Sequence, residues 1–238
     1  PGMSEKSLQG QIALVTGASR GIGAATAEAL AAAGAHVILT ARNAEDLERA
    51  EERIHQAGGT ATIAPMDLTE TDGIARLATA VSERWGRLDI LMINAATLGS
   101  LTPVAQIDGK EFSRVLTLNL LASQALIAGF DPLLRKSDAG RLIAITSSVG
   151  RNPRAYWGAY GASKAALETL ALAYAEEVRN LAQVRVAIID PGATATTMRA
   201  RAYPGEDPAT LKPPGAVAEA VVALLERGFE TGERLEVR

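Results

Sequence analysis

Thr16-Gly17-Ala18-Ser19-Arg20-Gly21-Ile22-Gly23 follows the apolar run Ile12–Thr16 and opens into an alanine-rich stretch, residues 24–33. Glycines between a strand and a helix let the backbone approach a pyrophosphate, and the helix start offers free N–H groups and a partial positive charge. The same residues also spell Gly17-Ala18-Ser19-Arg20-Gly21, the Gly-x-Ser-x-Gly elbow of a nucleophilic serine. That hydrolase reading needs an acid and then a histidine further along, and strands before the elbow so that the nucleophile's own strand is central. Here the turn ends the first strand, and no histidine follows His55. The order argues against a hydrolase and for a dinucleotide-binding turn.

Working outward, short apolar runs alternate with helical patterns. Strands are expected over Ile12–Thr16, His36–Ala41, Thr60–Pro65, 89–93, 141–146 and 185–189. They are continuous apolar runs, the mark of strands covered on both faces. Asn43 suits a helix cap, with Glu45 and Asp46 in the first turn and Leu47, Ala50, Ile54 and Ala57 as the buried stripe. Thr69 to Asp72 has the spacing of a capping box ahead of Ile74, Leu77, Ala78, Val81 and Trp85. This alternation predicts one α/β domain, a Rossmann-like doubly wound parallel sheet with helices on both faces. Pro1-Gly2 reads as a cloning remnant before a single domain over 3–238. The Pro- and Gly-punctuated segment at about 193–215 reads as a mobile substrate lid.

Composition narrows the chemistry. The 238 residues carry a formal net charge of -3, so a basic nucleic-acid footprint is absent and no nucleic-acid partner is expected. There are no cysteines and two histidines, His36 and His55, which leaves no expected metal site. The longest apolar tract, around 29–41, is broken by Gly34 and His36 and reads as helix then strand, not as a membrane span, and no signal peptide is expected because no cleavable apolar stretch follows Met3-Ser4-Glu5-Lys6. A cytoplasmic setting follows as the default.

Tyr160-Gly161-Ala162-Ser163-Lys164 puts a phenol and an ammonium four residues apart, on one helix face. A phenol titrates near 10, and a nearby cation stabilises the phenolate. Lys164 is expected to lower Tyr160 toward neutral pH. Leu98, Val149, Tyr156, Trp157, Met198 and Tyr203 could line an apolar pocket. Arg151 and Arg154 either flank it or lie on the surface or at a subunit contact.

With both motifs on the page, the chain resembles the short-chain dehydrogenases over nearly its whole length. Thr16–Gly23 looks like their TGxxxGxG fingerprint and Tyr160–Lys164 like their YxxxK motif. The resemblance implies catalytic roles for Asn119, Ser147, Tyr160 and Lys164, with Ser147, not Ser148, on the substrate carbonyl. At Asn119 the amide either bonds backbone locally or holds a water of a proton relay. The resemblance further implies that a nicotinamide dinucleotide meets Gly17, Ser19, Arg20, Gly21, Ile22 and Gly23, then Asp67, Leu68, Asn94 and Ala95, and finally Pro191, Gly192, Thr194 and Thr196, besides Tyr160 and Lys164. Two departures stand out: Ile93 and Ala96 replace an Asn and a Gly around Asn94, and the last strand after Thr231-Gly232 is shortened.

The expected activity is hydride transfer between NADP(H) and a small-molecule carbonyl or secondary alcohol. A non-catalytic NADP(H)-binding sensor or scaffold is the alternative, since fold does not prove function. NADP(H) is expected over NAD(H) because Ala41 stands where an acid would meet the adenosine ribose, while Arg42 and Arg20 suit a phosphate. A homodimer or homotetramer is expected through the helices at about 111–129 and 157–181, which are apolar most of the way round.

Overall fold

A computed structural model of the chain describes residues 5–181 and 183–238. The Pro1-Gly2 pair lies outside them. Strands β1 (Ile12–Thr16), β2 (His36–Ala41), β3 (Thr60–Pro65), β4 (Ile90–Ile93), β5 (Arg141–Ile145), β6 (Arg185–Asp190) and β7 (Glu233–Glu236) form one seven-stranded sheet in the order β3-β2-β1-β4-β5-β6-β7. Every pairing is parallel. The order reverses between β1 and β4, the switch point at which open α/β sheets leave a crevice beyond the strand C-termini. β7 carries Glu233, Arg234 and Glu236, and the Arg234 guanidinium makes paired 2.8 Å bonds to Glu168.

Successive strand residues point to opposite faces. On one face Ala13, Val15, Val37 and Leu39 pack with Leu30 of α1 (Gly21–Ala32), Leu47 and Ile54 of α2 (Ala44–Gln56), and Val221 and Leu224 of the C-terminal helix Pro214–Arg227. On the other, Leu14, Ile38, Leu91 and Leu142 meet Ile74 and Val81 of α3 (Thr71–Trp85) and Phe130 and Leu133 of the helical stretch Gly109–Arg135. Tyr174 and Val178 of the helix Gly158–Val178 complete that layer.

Asn43 caps α2 as expected, its Oδ1 accepting from Asp46 N–H at 3.0 Å. Ala57 is exposed at the helix end and does not join the stripe. The capping box before α3 does not form. Thr69 turns back to Asp67, donating from its N–H and hydroxyl at 3.0 and 2.7 Å, and Glu70 takes the cap position without a side-chain bond. That local Asx turn competes directly with the cap.

Gly109–Arg135 is long and apolar enough to cross a membrane by length and composition, with one-third of its apolar window buried here. It consists of α4 (Gly109–Leu116), a π-turn (Thr117–Leu121) and α5 (Ala122–Arg135). The segment expected as a lid contains the short helix Thr197–Ala202 and a 3₁₀ turn, Pro208–Thr210.

Candidate active site

The glycine turn is built from both sides of the switch point. Gly17 and Gly21 have φ of 61° and 58°, the left-handed region that favours glycine. A Cβ on Gly23 would stand 2.0 Å from the Gly17 carbonyl oxygen, so the helix meets the turn with no room for a side chain. Across the crevice, Asn94 Nδ2 donates to the carbonyls of Thr16 and Gly17 at 3.2 and 3.3 Å. The buried Thr16 hydroxyl accepts from the N–H groups of Asn94 and Ala95 at 2.9 and 3.1 Å. Ile93 and Ala96 therefore do not disturb the Asn94 contact that closes the turn. Arg20 precedes α1 and gives it no side-chain cap, which leaves the first N–H groups of the helix without one. A small negatively charged group suits that cradle.

Arg20 and Arg42 are exposed, and neither pairs with a carboxylate among the described residues. Ser19 and Ile22 lie half-buried on the turn, and Leu68 is buried beyond β3. The Thr69 hydroxyl, then its N–H, hold the Asp67 carboxyl below the ordinary carboxylate range, with a smaller push from Arg42. His36 pairs with Ile12 at the far end of the sheet from Ser19, and its ring nitrogens meet the Thr60 and Thr62 hydroxyls. That removes the hydrolase geometry.

Tyr160 and Lys164 sit on the first two turns of the helix Gly158–Val178, which we label α6. They are 8% and 2% exposed. The Lys164 ammonium lies 5.7 Å from the Tyr160 ring centre and donates to the Ile145 carbonyl at the end of β5, at 3.0 Å. Burial lowers Lys164 to about 8. Burial, with a smaller contribution from the Asp190 carboxylate, pushes the Tyr160 phenol above its ordinary value. The expectation that Lys164 lowers Tyr160 is thus reversed in the protein alone. Desolvation of the phenolate outweighs an ammonium that is itself desolvated.

Ser147 follows β5 in extended backbone. Its Oγ accepts from Val149 N–H at 3.4 Å, which leaves its hydroxyl proton free for a ligand. Asn119, 1% exposed, occupies the π-turn, a helix irregularity frequent at functional sites. Its Nδ2 donates to Thr97 O and Ser163 Oγ, both at 3.0 Å, while Oδ1 accepts from Thr97 N–H at 2.8 Å. These bonds are not local: they reach the backbone of Thr97 after β4 and the Ser163 hydroxyl on α6.

Pro191–Thr194 leave β6 toward the turn, with Gly192 at φ 66°. Thr194 is buried, and Thr196 Cγ2 lies 3.6 Å from where a Gly21 Cβ would be, so this segment faces the glycine turn across the crevice. Lys212 belongs to no motif in the sequence. Its ammonium donates to the carbonyls of Pro191 and Ala193 at 2.6 and 2.9 Å and pins the segment. Ser163, inside the Tyr160–Lys164 motif, donates to the Tyr160 carbonyl at 2.7 Å and accepts from Asn119, contacts that the motif spacing does not signal. Leu98, Val149 and Tyr160 form a small apolar cluster, with Leu101, Trp157, Met198 and Ala202 packed against it. Trp157 stands edge-on to Tyr160 and stacks on Tyr203, with ring centres 5.8 and 6.0 Å apart. Tyr156, expected in that lining, is instead exposed.

A parallel sheet with a glycine turn at its switch point and a buried Tyr–Lys pair opposite defines a dinucleotide-dependent oxidoreductase type of site. The sequence profile of the short chain dehydrogenases matches residues 11–207. The chain is 39% identical over 213 residues to the uncharacterized oxidoreductase YciK of Escherichia coli K12, covering 88% of this chain and 84% of that protein. A short chain dehydrogenase from Salmonella enterica serovar Typhi superposes with a TM-score of 0.93 at 37% identity, over 100% of both chains. A Shigella flexneri 2a relative complexed with NADP gives 0.92 at 37% identity, over 98% of this chain and 99% of the other. The chain belongs to the short chain dehydrogenase family of oxidoreductases.

Proposed function

We propose that the protein transfers a hydride between NADP(H) and a carbonyl carbon or its secondary alcohol, with Tyr160 as the acid and base. The carrying observation is the buried Tyr160–Lys164 pair, which Lys164 ties to the Ile145 carbonyl at the end of β5, two residues before Ser147 and beside the crevice that the glycine turn opens. The cofactor would be held by Gly17 to Gly23, Asp67, Leu68, Asn94, Ala95, Pro191, Gly192, Thr194 and Thr196. Gly23, where even a methyl group has no space, supports that fit. Arg20 and Arg42 would meet the additional phosphate, and the NADP complex of the Shigella relative agrees with that preference.

The cofactor supplies the hydride. The protein's own part is proton transfer and positioning. Ser147 donates a hydrogen bond to the carbonyl oxygen. Tyr160, which burial keeps protonated, gives its proton to that oxygen as charge develops there. Lys164 stabilises the phenolate left behind, and at neutral pH its lowered pKa of about 8 still leaves most of it charged. Asn119 acts as a positioning residue, tying Thr97 and Ser163 together beside Tyr160. Residues 193–215 serve as the substrate cover. The outer surfaces of Gly109–Arg135 and α6, rich in alanine and leucine, serve as the contact of a homo-oligomer. The test is turnover of a broad carbonyl panel with NADPH against NADH. Selective use of NADPH supports the reading, and tight NADPH binding without any turnover contradicts it.

A further inference from the structure

Residues 154–157 close a turn in which Trp157 N–H donates to Arg154 O at 3.2 Å. Tyr156 is its third residue, with φ of 73°, and is the one non-glycine residue at positive φ among the described residues. Ala155 has no positive φ, so the turn is of the type II kind, whose third position belongs to glycine or asparagine. A bulky aromatic residue there is a true outlier that its surroundings must hold in place. Those surroundings are visible. Thr102 N–H donates to Tyr156 O at 3.2 Å, and Val104 Cγ2 lies so close over Gly158 that a Cβ there would stand 2.9 Å from it. The turn is stitched to the loop 97–104.

Packing does not repay the unfavourable backbone. Tyr156 is 58% exposed and Val104 is 72% exposed. Trp157, the next residue in the chain, stands edge-on to Tyr160, and Leu98, Leu101, Val149 and Met198 pack around the same tyrosine. The apolar lining around Tyr160 thus ends at Trp157, and Tyr156, the residue before it in the chain, stands at the solvent edge. The outermost ring is presented to solvent at a conformational cost.

We propose that Tyr156 determines substrate specificity by packing its ring on an apolar substituent of the carbonyl compound. The substrate class is then a ketone whose alkyl or aryl substituent extends past Trp157 to the rim, not a small polar carbonyl. This inference rests on the reading of the site as a carbonyl reductase. Strained residues gather where a surface is shaped for a ligand, and an aromatic ring gives large contact area at low conformational cost.

The experiment measures kcat/KM with NADPH for methyl ketones of increasing alkyl length and for methyl aryl ketones. It compares the natural protein with Tyr156→Gly, Tyr156→Asn and Tyr156→Phe. The ratio of long-chain to short-chain kcat/KM should fall roughly ten-fold in the glycine and asparagine variants, mainly through KM, and persist in the phenylalanine variant. Both turn-compatible variants should melt no lower than the natural protein, which separates the effect from misfolding. An unchanged ratio in Tyr156→Gly overturns the proposal and leaves the reductase reading standing. An unchanged ratio with an altered mass in light scattering also overturns it, in favour of a subunit contact. A natural protein that binds NADPH yet is silent across the series overturns the reductase reading and this inference with it.

Discussion

Gly23→Ala probes the crevice at its tightest point. The added Cβ would stand 2.0 Å from the Gly17 carbonyl oxygen and 2.7 Å from Asn94 Nδ2, whereas real Cβ contacts essentially never fall below 3.0 Å. The Gly17 carbonyl must therefore retreat by about 1 Å, and it is one of the two carbonyls Asn94 grips. A shift of that size breaks the charge-assisted hydrogen bonds that the N–H groups of the turn would give a phosphate, each worth about 1.5–3 kcal/mol. We expect the Kd for NADPH, read by nucleotide fluorescence titration, to weaken roughly 100-fold, equivalent to about 2.7 kcal/mol. Gly58→Ala is the control. Gly58 has φ of 86° with nothing near its Cβ position, on the turn between α2 and β3. It should lose about 1–2 kcal/mol of stability to left-handed strain and keep its NADPH affinity. If Gly23→Ala binds NADPH within about three-fold of the natural protein, the turn does not hold the cofactor and the reasoning fails.

The remaining expectations concern charge and assembly. Lys164 loses its proton as pH rises through about 8, so kcat/KM for carbonyl reduction should hold below that pH and decline above it. A profile that stays flat to about pH 10, where an ordinary lysine titrates, would refute the role given to the ammonium. Arg42→Ala and Arg20→Ala should each weaken NADPH binding by on the order of 1.5–3 kcal/mol and leave NADH almost unaffected; equal losses for both nucleotides would remove the phosphate contact. Light scattering at micromolar concentration should give a homo-oligomer, and a monomeric mass would leave the apolar outer faces of Gly109–Arg135 and α6 without their proposed partner.

The parts legible in the sequence are those set by local pattern. Ile12–Thr16 and His36–Ala41 are strands at the expected bounds because an apolar run buried on both faces has few alternatives, and Thr60–Pro65 keeps its expected bounds as the half-buried edge strand. The glycine turn and the Tyr160–Lys164 spacing are local too. What sequence could not give depends on residues far apart in the chain. Asn119 meets Thr97 and Ser163 across 22 and 44 positions, and Lys212 grips Pro191 across 21. The direction of the Tyr160 shift depends on how completely α6 and its neighbours exclude water, which a four-residue spacing does not encode. The left-handed backbone of Tyr156 runs against its residue type, so no propensity argument reaches it. At Thr69 two local patterns competed, and the nearer partner, Asp67, won.

The central claim is that Tyr160 supplies the proton in an NADPH-dependent carbonyl reduction. The measurement that tests it most directly is NADPH oxidation by the natural protein and Tyr160→Phe side by side, on the best ketone found, with NADPH affinity titrated in both. The account predicts kcat/KM lower by roughly 10²–10⁴-fold in the variant, with NADPH binding kept within a few-fold. Reduction by Tyr160→Phe at close to the natural rate would contradict it.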